Sequence, residues 1–310
     1  MYDLVTLGEI LIDFAPDGAD QRGFAKYIQN PGGAVANVAA VFGRYGARAA
    51  LLGKVGCDMF GEYLRGFFTD LGVDCSGMLS DPDRNTTLAF VSLNEEGERD
   101  FAFYRRHEAD LRISAEELPY DIIRNTRLFH FGSLSLTAEP ARSATYAALA
   151  AARESGALIS YDPNFRDSLW AGQDAVSYMR GVLDRVDYVK VSSEEGEMLT
   201  GYSDVERCAD ALLEYGARFA AVTLGSRGSY YACRTCRSYV EPYNAGRTVD
   251  TTGAGDVFWG TMLFELTRYT FDTPELIARA AKRASKAAAI CTTKKGGASS
   301  IPSYSDVLSE

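Results

Sequence analysis

The sequence predicts an α/β fold in which helices cover both faces of a mainly parallel central sheet. Two observations predict it: strand-like apolar runs alternate with helix-like segments, and several of those runs are short and lack polar alternation. The alternation is typical of βαβ units, and continuous apolar runs are typical of parallel strands buried on both faces. A chain of 310 residues can bury about 75% of its unfolded surface, which is enough for a large core.

The individual elements follow from local patterns. Short apolar runs predict strands, and these lie at residues 2–14, 49–55, 157–162, 186–191 and 219–224. Apolar residues at helical spacing, in some cases followed by glycine, predict helices. The helices lie at residues 34–45, 60–71, 139–155, 257–268 and 278–291, and the one at 257–268 is expected to be amphipathic.

One region interrupts this alternation. Residues 86–106 show strand-like alternation around Asn-Glu-Glu-Gly at 94–97, which predicts an antiparallel hairpin. The polar segment 17–30 contains two glycines and is expected to pair with it. We therefore predict one domain over residues 1–310, with a small β-sheet lid formed by roughly 15–30 and 85–107.

Composition excludes several classes of partner and site. The formal net charge is −10, from 42 acidic and 32 basic residues, which argues against nucleic acid or an anionic membrane as the main partner. There is neither an apolar stretch of membrane-spanning length nor a signal-peptide pattern, so we expect a cytoplasmic protein. Two histidines, His107 and His130, are too few for a three-histidine metal site in one chain.

The six cysteines are scattered, and in a cytoplasmic protein we interpret them as free thiols. Cys233 and Cys236 form a C-x-x-C motif. Since no second cysteine or histidine pair completes a zinc set, we interpret this motif as a turn between two strands.

Common nucleotide and hydrolase motifs are absent from the sequence. It contains no P-loop, no G-x-G-x-x-G after a strand and no G-x-S-x-G nucleophile elbow. An α/β sheet alone does not identify a function, so the function has to be argued from other residues.

The most informative stretch is Asp-Thr-Thr-Gly-Ala-Gly-Asp at 250–256, just before a predicted helix. Two glycines let backbone N–H groups converge at the helix N-terminus, where the helix dipole favours a phosphoryl group. Asp256 lies beside that position and could accept a proton from an attacking hydroxyl. We expect the helix N-terminus to lower the pKa of Asp256, which phosphoryl transfer tolerates because its transition state is loose.

At these residues the chain resembles the PfkB carbohydrate kinases, also called the ribokinase family. The run at 250–256 matches the C-terminal signature of that family, and Pro-Gly-Gly-Ala-Val-Ala-Asn-Val-Ala at 31–39 matches its N-terminal signature. The resemblance extends over nearly the whole chain. It implies a ribokinase-like three-layer α/β/α fold with the small β-sheet as a lid over the site.

The resemblance also implies roles for individual residues. Asp256 is implied as the catalytic base, and the amides of Gly253, Ala254 and Gly255 as an anion hole for the transferred phosphoryl group. Contacts with the sugar are implied for Asp13, Gly33, Asn37, Phe103, Arg105 and Arg166.

The nucleotide side of the site is implied in the same way. The nucleotide-contacting positions are Asn164, Lys190, Glu195, Thr223, Gly225 and Gly228. Glu195 corresponds to an acid that holds Mg²⁺ through water, although Ser192 stands where the family often has asparagine. Asp250 and Thr252 match positions that in relatives help to hold a monovalent cation such as K⁺.

The lid sequence is most similar to that of fructokinases, particularly residues 87–91 and 97–105. We therefore expect ATP-dependent phosphorylation of D-fructose to fructose 6-phosphate. Two alternatives stay open: a 2-keto-3-deoxygluconate kinase, whose acid group Arg105, Arg106 or Arg166 could bind, and a catalytically silent sugar or nucleotide sensor. The expected ligands are a sugar, ATP and Mg²⁺; a K⁺ requirement and a homodimer are left open.

Overall fold

The computed structural model describes residues 1–93, 99–105, 108–268 and 273–309. Its strands are β1 Leu4–Leu7, β2 Leu11–Ala19, β3 Ala25–Gly32, β4 Ala49–Gly56, β5 Val73–Asp74, β6 Met78–Asp81, β7 Thr87–Leu93, β8 Arg99–Tyr104, β9 Leu128–Gly132, β10 Leu158–Asp162, β11 Tyr188–Ser192, β12 Phe219–Thr223, β13 Ser229–Cys233 and β14 Arg237–Val240. Its helices are α1 Ala34–Arg44, α2 Met59–Asp70, α3 Tyr120–Ile123, α4 Ala141–Glu154, α5 Ala175–Arg180, α6 Ser193–Thr200, α7 Val205–Glu214, α8 Ala254–Arg268, α9 Pro274–Cys291 and α10 Tyr304–Leu308.

The central sheet has the strand order β14-β13-β12-β11-β10-β9-β1-β4-β5, and β6 also pairs with β4. Pairing is parallel from β12 through β5 and antiparallel where β13 and β14 extend the edge. One apolar core lies between the sheet and helices α1, α2, α8 and α9, and a second lies between the opposite face and α4 to α7. These three layers are the predicted α/β/α arrangement.

The first predicted strand, at residues 2–14, is wrong as a single element. β1 ends at Leu7, and β2 begins at Leu11 in a different sheet. At the break, a Cβ on Gly8 would lie 2.8 Å from the Val35 side chain, so glycine lets the chain pass close to α1 as it leaves the central sheet. As a result, Asp13 belongs to the smaller sheet, where it is paired with Asn30.

The smaller sheet has the order β3-β2-β7-β8. β2 pairs antiparallel with β3 and parallel with β7, and β7 and β8 form the predicted antiparallel hairpin. The predicted turn at 94–97 lies outside the described residues. Strand β2 lies between β3 and β7 and so connects the 17–30 segment with the hairpin. The smaller sheet begins at Leu11, earlier in the chain than the predicted start near residue 15.

Helix α8 is not amphipathic, contrary to the prediction. Its residues from Asp256 to Leu266 are all buried, because α1 and α9 pack against it as well as the sheet. A helix that is apolar on all sides is expected in such a central position. Within the described ranges, no helix combines the length and apolarity needed to cross a bilayer.

Candidate active site

A cavity of about 500 Å³ opens at the carboxyl ends of the parallel strands, beside the smaller sheet. Asp162, Ser192 and Thr223 end three neighbouring strands there, which is where open α/β sheets bind ligands. Its lining comprises Glu9, Leu11, Asp13, Gly33, Ala34, Asn37, Phe103, Leu134, Asn164, Phe165, Arg166, Lys190, Ser192, Glu194, Glu195, Met198, Thr223, Thr251, Thr252, Gly253, Gly255 and Asp256.

A second cavity of about 570 Å³ lies on the other side of the start of α8. It shares Thr223, Thr251 and Gly255 with the first cavity, so the two meet at the 250–256 motif. Its remaining lining is Gly225, Ser226, Gly228, Ser229, Pro242, Tyr243, Asn244, Ala245, Gly246, Thr248, Ala254, Phe258, Ser285, Ala288, Ala289 and Thr292. The small side chains of Ala288 and Ala289 on α9 leave room there for a flat ligand.

The motif requires glycine where the chain enters α8. Gly253 has φ 74°, and a Cβ on it would lie 2.7 Å from the Gly297 Cα. The Ala254 N–H donates to the Thr251 carbonyl at 3.2 Å, so a bound anion would share that donor. N–H groups in the first turn of a helix lack intrahelical acceptors, and they make this end of α8 suitable for an anion.

Asp256 lies in the first turn of α8 and is buried. The Asn37 amide nitrogen donates to its Oδ2 at 2.7 Å, while the buried Asn37 Oδ1 has no partner among the described residues. Burial raises the pKa of Asp256 to about 7, helped by the nearby charge of Asp162 and opposed by Lys190. The expectation of a lowered pKa is wrong, because desolvation outweighs the helix N-terminus.

Lys190 and Asp162 form a buried ion pair beside Asp256. The Lys190 Nζ lies 2.7 Å from Asp162 Oδ2, and a Cβ on Gly255 would lie 3.2 Å from the same Nζ. Burial lowers the pKa of Lys190, but the surrounding carboxylates, Asp162 above all, raise it by more. Lys190 therefore carries a positive charge next to the anion-binding end of α8.

Glu195 holds the loop after β10 and the start of α6. Its two oxygens accept the N–H groups of Phe165 at 2.7 Å and Ser192 at 2.8 Å. The Ser192 hydroxyl accepts the Glu195 N–H at 3.2 Å, which completes a capping box. Ser192 thus caps the start of α6. Burial raises the pKa of the Glu195 carboxyl.

Asn164 turns the same loop towards the first cavity. It has φ 44°, which asparagine tolerates better than most residues, and its N–H donates to Asp162 Oδ1 at 3.2 Å. The next two residues, Phe165 and Arg166, also line the cavity. The loop therefore brings Asn164, predicted to contact the nucleotide, and Arg166, predicted to contact the sugar, to the same wall of the cavity.

Asp13, Gly33 and Phe103 line the side of the cavity formed by the smaller sheet and the start of α1. Burial raises the pKa of Asp13 to about 7, and the charge of Arg166 opposes that shift. Gly33 has φ 107°, and a Cβ on it would collide with the Glu9 carbonyl oxygen. Only glycine therefore fits at the turn into α1.

Arg105, which was predicted to contact the sugar, lies outside the lining of the first cavity. Its side chain is 1% exposed. It donates to Asp110 Oδ2 at 2.7 Å, to the Thr137 hydroxyl at 3.1 Å and to the Leu134 carbonyl at 3.0 Å. Arg105 therefore ties β8 to the segments behind it, and this arrangement gives no support to the predicted contact with the sugar.

Sequence reasoning missed Glu9 as a cavity residue. Its Oε1 accepts the Ala34 N–H at 2.7 Å, and its buried Oε2 has no partner among the described residues. Burial raises its pKa. The signal available in the sequence was Glu9 itself, an acid within the otherwise apolar run 4–12. Because that run was predicted as part of one strand, Glu9 was given no role. Asp162, at the end of β10, likewise had no predicted role.

The remaining predicted residues divide between the second cavity and the loop behind it. Thr223, Gly225 and Gly228 all line the second cavity, and Gly228 has φ 91°. Asp250 accepts the N–H groups of Thr252 at 2.7 Å and Gly296 at 3.0 Å. Asp250 therefore ties the motif to the segment after α9. Among the described residues, no cluster of three or more His, Cys, Asp or Glu could hold a metal ion directly.

Two adjoining cavities thus meet at a helix N-terminus and a buried carboxylate. This arrangement suits the transfer of a phosphoryl group between two small molecules. A profile of pfkB family carbohydrate kinases matches residues 1–304. The chain belongs to this family of carbohydrate kinases, and its fold is the ribokinase fold.

The chain is similar to known fructokinases over nearly its whole length. It is 40% identical to a probable fructokinase-4 of Arabidopsis thaliana over 99% of this chain and 95% of the relative. A fructokinase of Xylella fastidiosa with bound ATP has a TM-score of 0.90 and 30% identity, covering 99% and 98% of the two chains. A fructokinase of Vibrio cholerae O395 with bound fructose, ADP and calcium has a TM-score of 0.89 and 34% identity, with the same coverage.

Proposed function

We propose that this chain is an ATP-dependent fructokinase, which transfers the γ-phosphoryl group of ATP to the 6-hydroxyl of D-fructose. The observation that carries the proposal is the position of Asp256, a buried acid that lines the first cavity next to Gly255, which both cavities share. The similarity to fructokinases that bind ATP, or fructose and ADP, supports both substrates. Fructose belongs in the first cavity and the adenine end of ATP in the second.

Asp256 acts as the general base. It takes the proton of the sugar hydroxyl as that oxygen bonds to the γ-phosphorus, while the bond from phosphorus to the β–γ bridging oxygen breaks and ADP leaves. General-base assistance of this kind typically accelerates a reaction 10²–10⁴-fold. The Asn37 amide orients the carboxylate, and its second amide atom, Oδ1, is available to accept a sugar hydroxyl.

Charge on the transferred phosphoryl group is balanced by the start of α8 and by Lys190. The amides of Gly253, Ala254 and Gly255 form the anion hole, and Lys190 lies beside Gly255. Preorganised donors in a buried site stabilise developing charge strongly, because they need no reorganisation during the reaction. The glycines of the 225–228 turn admit the nucleotide close to the backbone.

Mg²⁺, when bound, neutralises charge on the phosphates of ATP. The donor chemistry fits: Glu194 and Glu195 line the cavity beside Lys190. Both Glu195 oxygens already accept backbone N–H groups but keep a second lone pair, so Glu195 would hold the metal through a water. Asp250 and Thr252 are proposed to help hold a monovalent cation such as K⁺.

Sugar binding is assigned to Asp13, Gly33, Asn37, Phe103 and Arg166. Because Arg105 is committed to an internal ion pair and Arg106 lies outside the described residues, Arg166 is the one described arginine in the cavity lining. The alternative 2-keto-3-deoxygluconate substrate depended on a group of arginines, so fructose is the better candidate. The intact base and glycines likewise favour an enzyme over a silent sensor.

The smaller sheet is proposed to act as a lid that closes over the sugar and excludes water.

Phe24, Tyr27 and Tyr104 are exposed on this sheet, which favours pairing with the same sheet of a second chain. We propose a homodimer in the cytoplasm, with residues 1–310 as one kinase domain. Analytical ultracentrifugation that shows only monomer at assay concentration would remove the dimer from this proposal.

The deciding experiment is an ADP-release assay with Mg²⁺ over a panel of fructose, ribose, 2-keto-3-deoxygluconate and a nucleoside, with and without K⁺. Fructose is expected to give the highest kcat/KM. A preference of tenfold or more for the keto acid would overturn the substrate assignment. Tight binding of fructose and ATP with no ADP release would favour the sensor instead.

A further inference from the structure

The C-x-x-C motif lies at a hairpin that the kinase site does not use. Cys233 is the last residue of β13, and Cys236 directly precedes β14. The Cys233 N–H donates to the Cys236 carbonyl at 2.8 Å, so the two residues face each other across a tight turn, as the sequence predicts. This turn lies at the edge of the central sheet, away from both cavities of the kinase site.

The two sulfur atoms are already close. Their Sγ atoms lie 2.9 Å apart, compared with about 2.05 Å in a disulfide. Both cysteines are free. A change of under 1 Å is small for two adjacent side chains at a turn, so bond formation needs no rearrangement of the sheet.

Hydrogen bonds single out Cys233 as the nucleophile of the pair. Its Sγ accepts the Cys236 N–H at 3.2 Å and lies 3.5 Å from the Thr235 hydroxyl. Burial raises the pKa of the Cys233 thiol, but hydrogen bonds from Cys236 and Thr235 lower it by more. Burial and the neighbouring Cys233 raise the pKa of Cys236 to about 12, so it holds its proton until Cys233 has reacted.

A small reagent can reach the pair from solvent. Cys233 lines a groove of about 1000 Å³ together with Arg234, Arg237 and Arg218, and Cys236 is partly exposed. The groove also contains Asp210 and Glu214. Arg237 pairs with Asp210 and Arg218 with Asp187, so most of the charge in the groove is balanced and access does not depend on the charge of the reagent. Cys75 and Cys291 are buried and free like Cys233, but their sulfur atoms approach oxygen atoms of Val73 and Ser300.

We propose that Cys233 and Cys236 form a redox-active dithiol that low-molecular-weight disulfides oxidise to an intramolecular disulfide. The Cys233 thiolate attacks one sulfur of the reagent, the S–S bond of the reagent breaks, and one thiolate leaves. Cys236 then loses its proton and attacks Cys233 Sγ, which expels the second reagent thiolate. Two protein thiols are oxidised while one disulfide is reduced to two thiols.

The test incubates the reduced full-length chain with oxidised glutathione and follows it by intact mass, thiol titration and peptide mapping. The chain is expected to lose two hydrogens, with titratable thiols falling from six to four and a 233–236 linkage in the map. Cys236→Ser should instead keep glutathione bound to Cys233. Cys57→Ser, a control at an exposed cysteine, should form the 233–236 disulfide as the parent does.

Two results would overturn the proposal. One is glutathione addition at Cys57 while Cys233 and Cys236 of the parent chain both stay reduced. The other is a disulfide that maps to any other pair. The parent chain decides both outcomes, so the proposal stays testable even where a cysteine variant folds poorly. ADP release measured on the same samples keeps this result separate from the kinase assignment.

Discussion

The central sheet and the smaller sheet contribute to the same cavity in different ways. The central sheet supplies Lys190 with its partner Asp162, and helix α8, packed on that sheet, supplies Asp256; all three side chains are buried. The smaller sheet presents Asp13 and Phe103 and has solvent on its outer face, where large aromatic side chains are exposed.

This difference separates the part of the protein suited to phosphoryl transfer from the part suited to sugar recognition. Charge that develops during phosphoryl transfer needs fixed groups of low mobility, which buried strand ends and helix starts supply. Recognition of a sugar needs a surface that opens for entry, which a sheet packed on one side supplies. Substitutions in the central sheet and at the start of α8 should therefore change kcat. Substitutions in the smaller sheet should change KM, or the stability of its packing against the rest of the protein.

Asp256→Asn should give the largest effect on turnover. The amide keeps the shape of the side chain and can still pair with Asn37 after rotation, but it accepts no proton. At a pH well above 7, where Asp256 is ionised, we expect kcat to fall by 10²–10⁴, equivalent to about 3–5 kcal/mol of barrier, with ATP and fructose affinity within a few-fold. Rapid-mix ADP release and calorimetric titration measure the two quantities.

Asp70→Asn is the matched control, because Asp70 is exposed at the end of α2. It should leave both kcat and KM unchanged. Turnover by Asp256→Asn within fivefold of the parent chain would remove this residue as the base and, with it, the assignment of kcat to the central sheet.

Arg105→Met should damage stability more than chemistry. The Arg105–Asp110 pair has both side chains 1% exposed, and removing one partner leaves a buried charge without its counter-ion. Such a loss typically costs about 3–5 kcal/mol. The midpoint of urea unfolding should fall accordingly, while the KM for fructose, measured well below the transition, changes little.

Two further variants sharpen this prediction. Arg105→Met combined with Asp110→Asn removes both charges and should recover part of the lost stability. Arg237→Met breaks the exposed pair with Asp210 and should leave the midpoint almost unchanged. A tenfold rise in KM with no change in the unfolding midpoint for Arg105→Met would restore Arg105 as a sugar contact.

The contrast between Asp256 and Arg105 also shows what the sequence could predict. The layered fold and the cavity around 250–256 follow from apolar periodicity and from a seven-residue motif, both of which are local in the chain. The partner of Arg105 depends on how β8 packs against Asp110, Thr137 and Leu134, which no local pattern encodes. The pKa of Asp256 was mispredicted for the same reason, because burial is a property of the assembled core.

The pH dependence tests the environment of the base. Since the raised pKa of Asp256 is about 7, the ionised form that accepts a proton is lost as pH falls through 7. Log kcat/KM should therefore decrease by about one per pH unit below 7 from Asp256 alone. Asp13, whose pKa is also raised to about 7, adds to this slope to the extent that its ionised form binds the sugar. Asn37→Ala removes a hydrogen bond that lowers this pKa, so its acidic limb should move to higher pH. An acidic limb near pH 4 in the parent chain would contradict the burial argument.

Phe103→Ala tests the smaller sheet as a substrate-binding surface. Phe103 lines the sugar cavity from β8. Loss of its ring should raise the KM for fructose about tenfold, in line with about 1–2 kcal/mol of buried apolar contact, with kcat changed less than threefold. Tyr215→Ala is the control away from the smaller sheet, at the end of α7, where the side chain is 40% exposed, and should change neither constant. A fall in kcat alone would contradict the proposed division between the sheets.

Ser192→Ala should give the smallest effect and separates a capping role from a metal role. The Ser192 hydroxyl accepts the Glu195 N–H at the start of α6, and losing such a cap typically costs about 1 kcal/mol of stability. Ser192→Asn keeps a side-chain acceptor of similar capping strength and restores the residue common in the family, so its unfolding midpoint should match the parent. Because Glu195 still accepts the Ser192 backbone N–H, both variants should keep the parent Mg²⁺ dependence of ADP release. A tenfold loss of Mg²⁺ affinity in Ser192→Ala that Ser192→Asn reverses would show that this side chain acts on the metal, and that capping is the lesser part of its role.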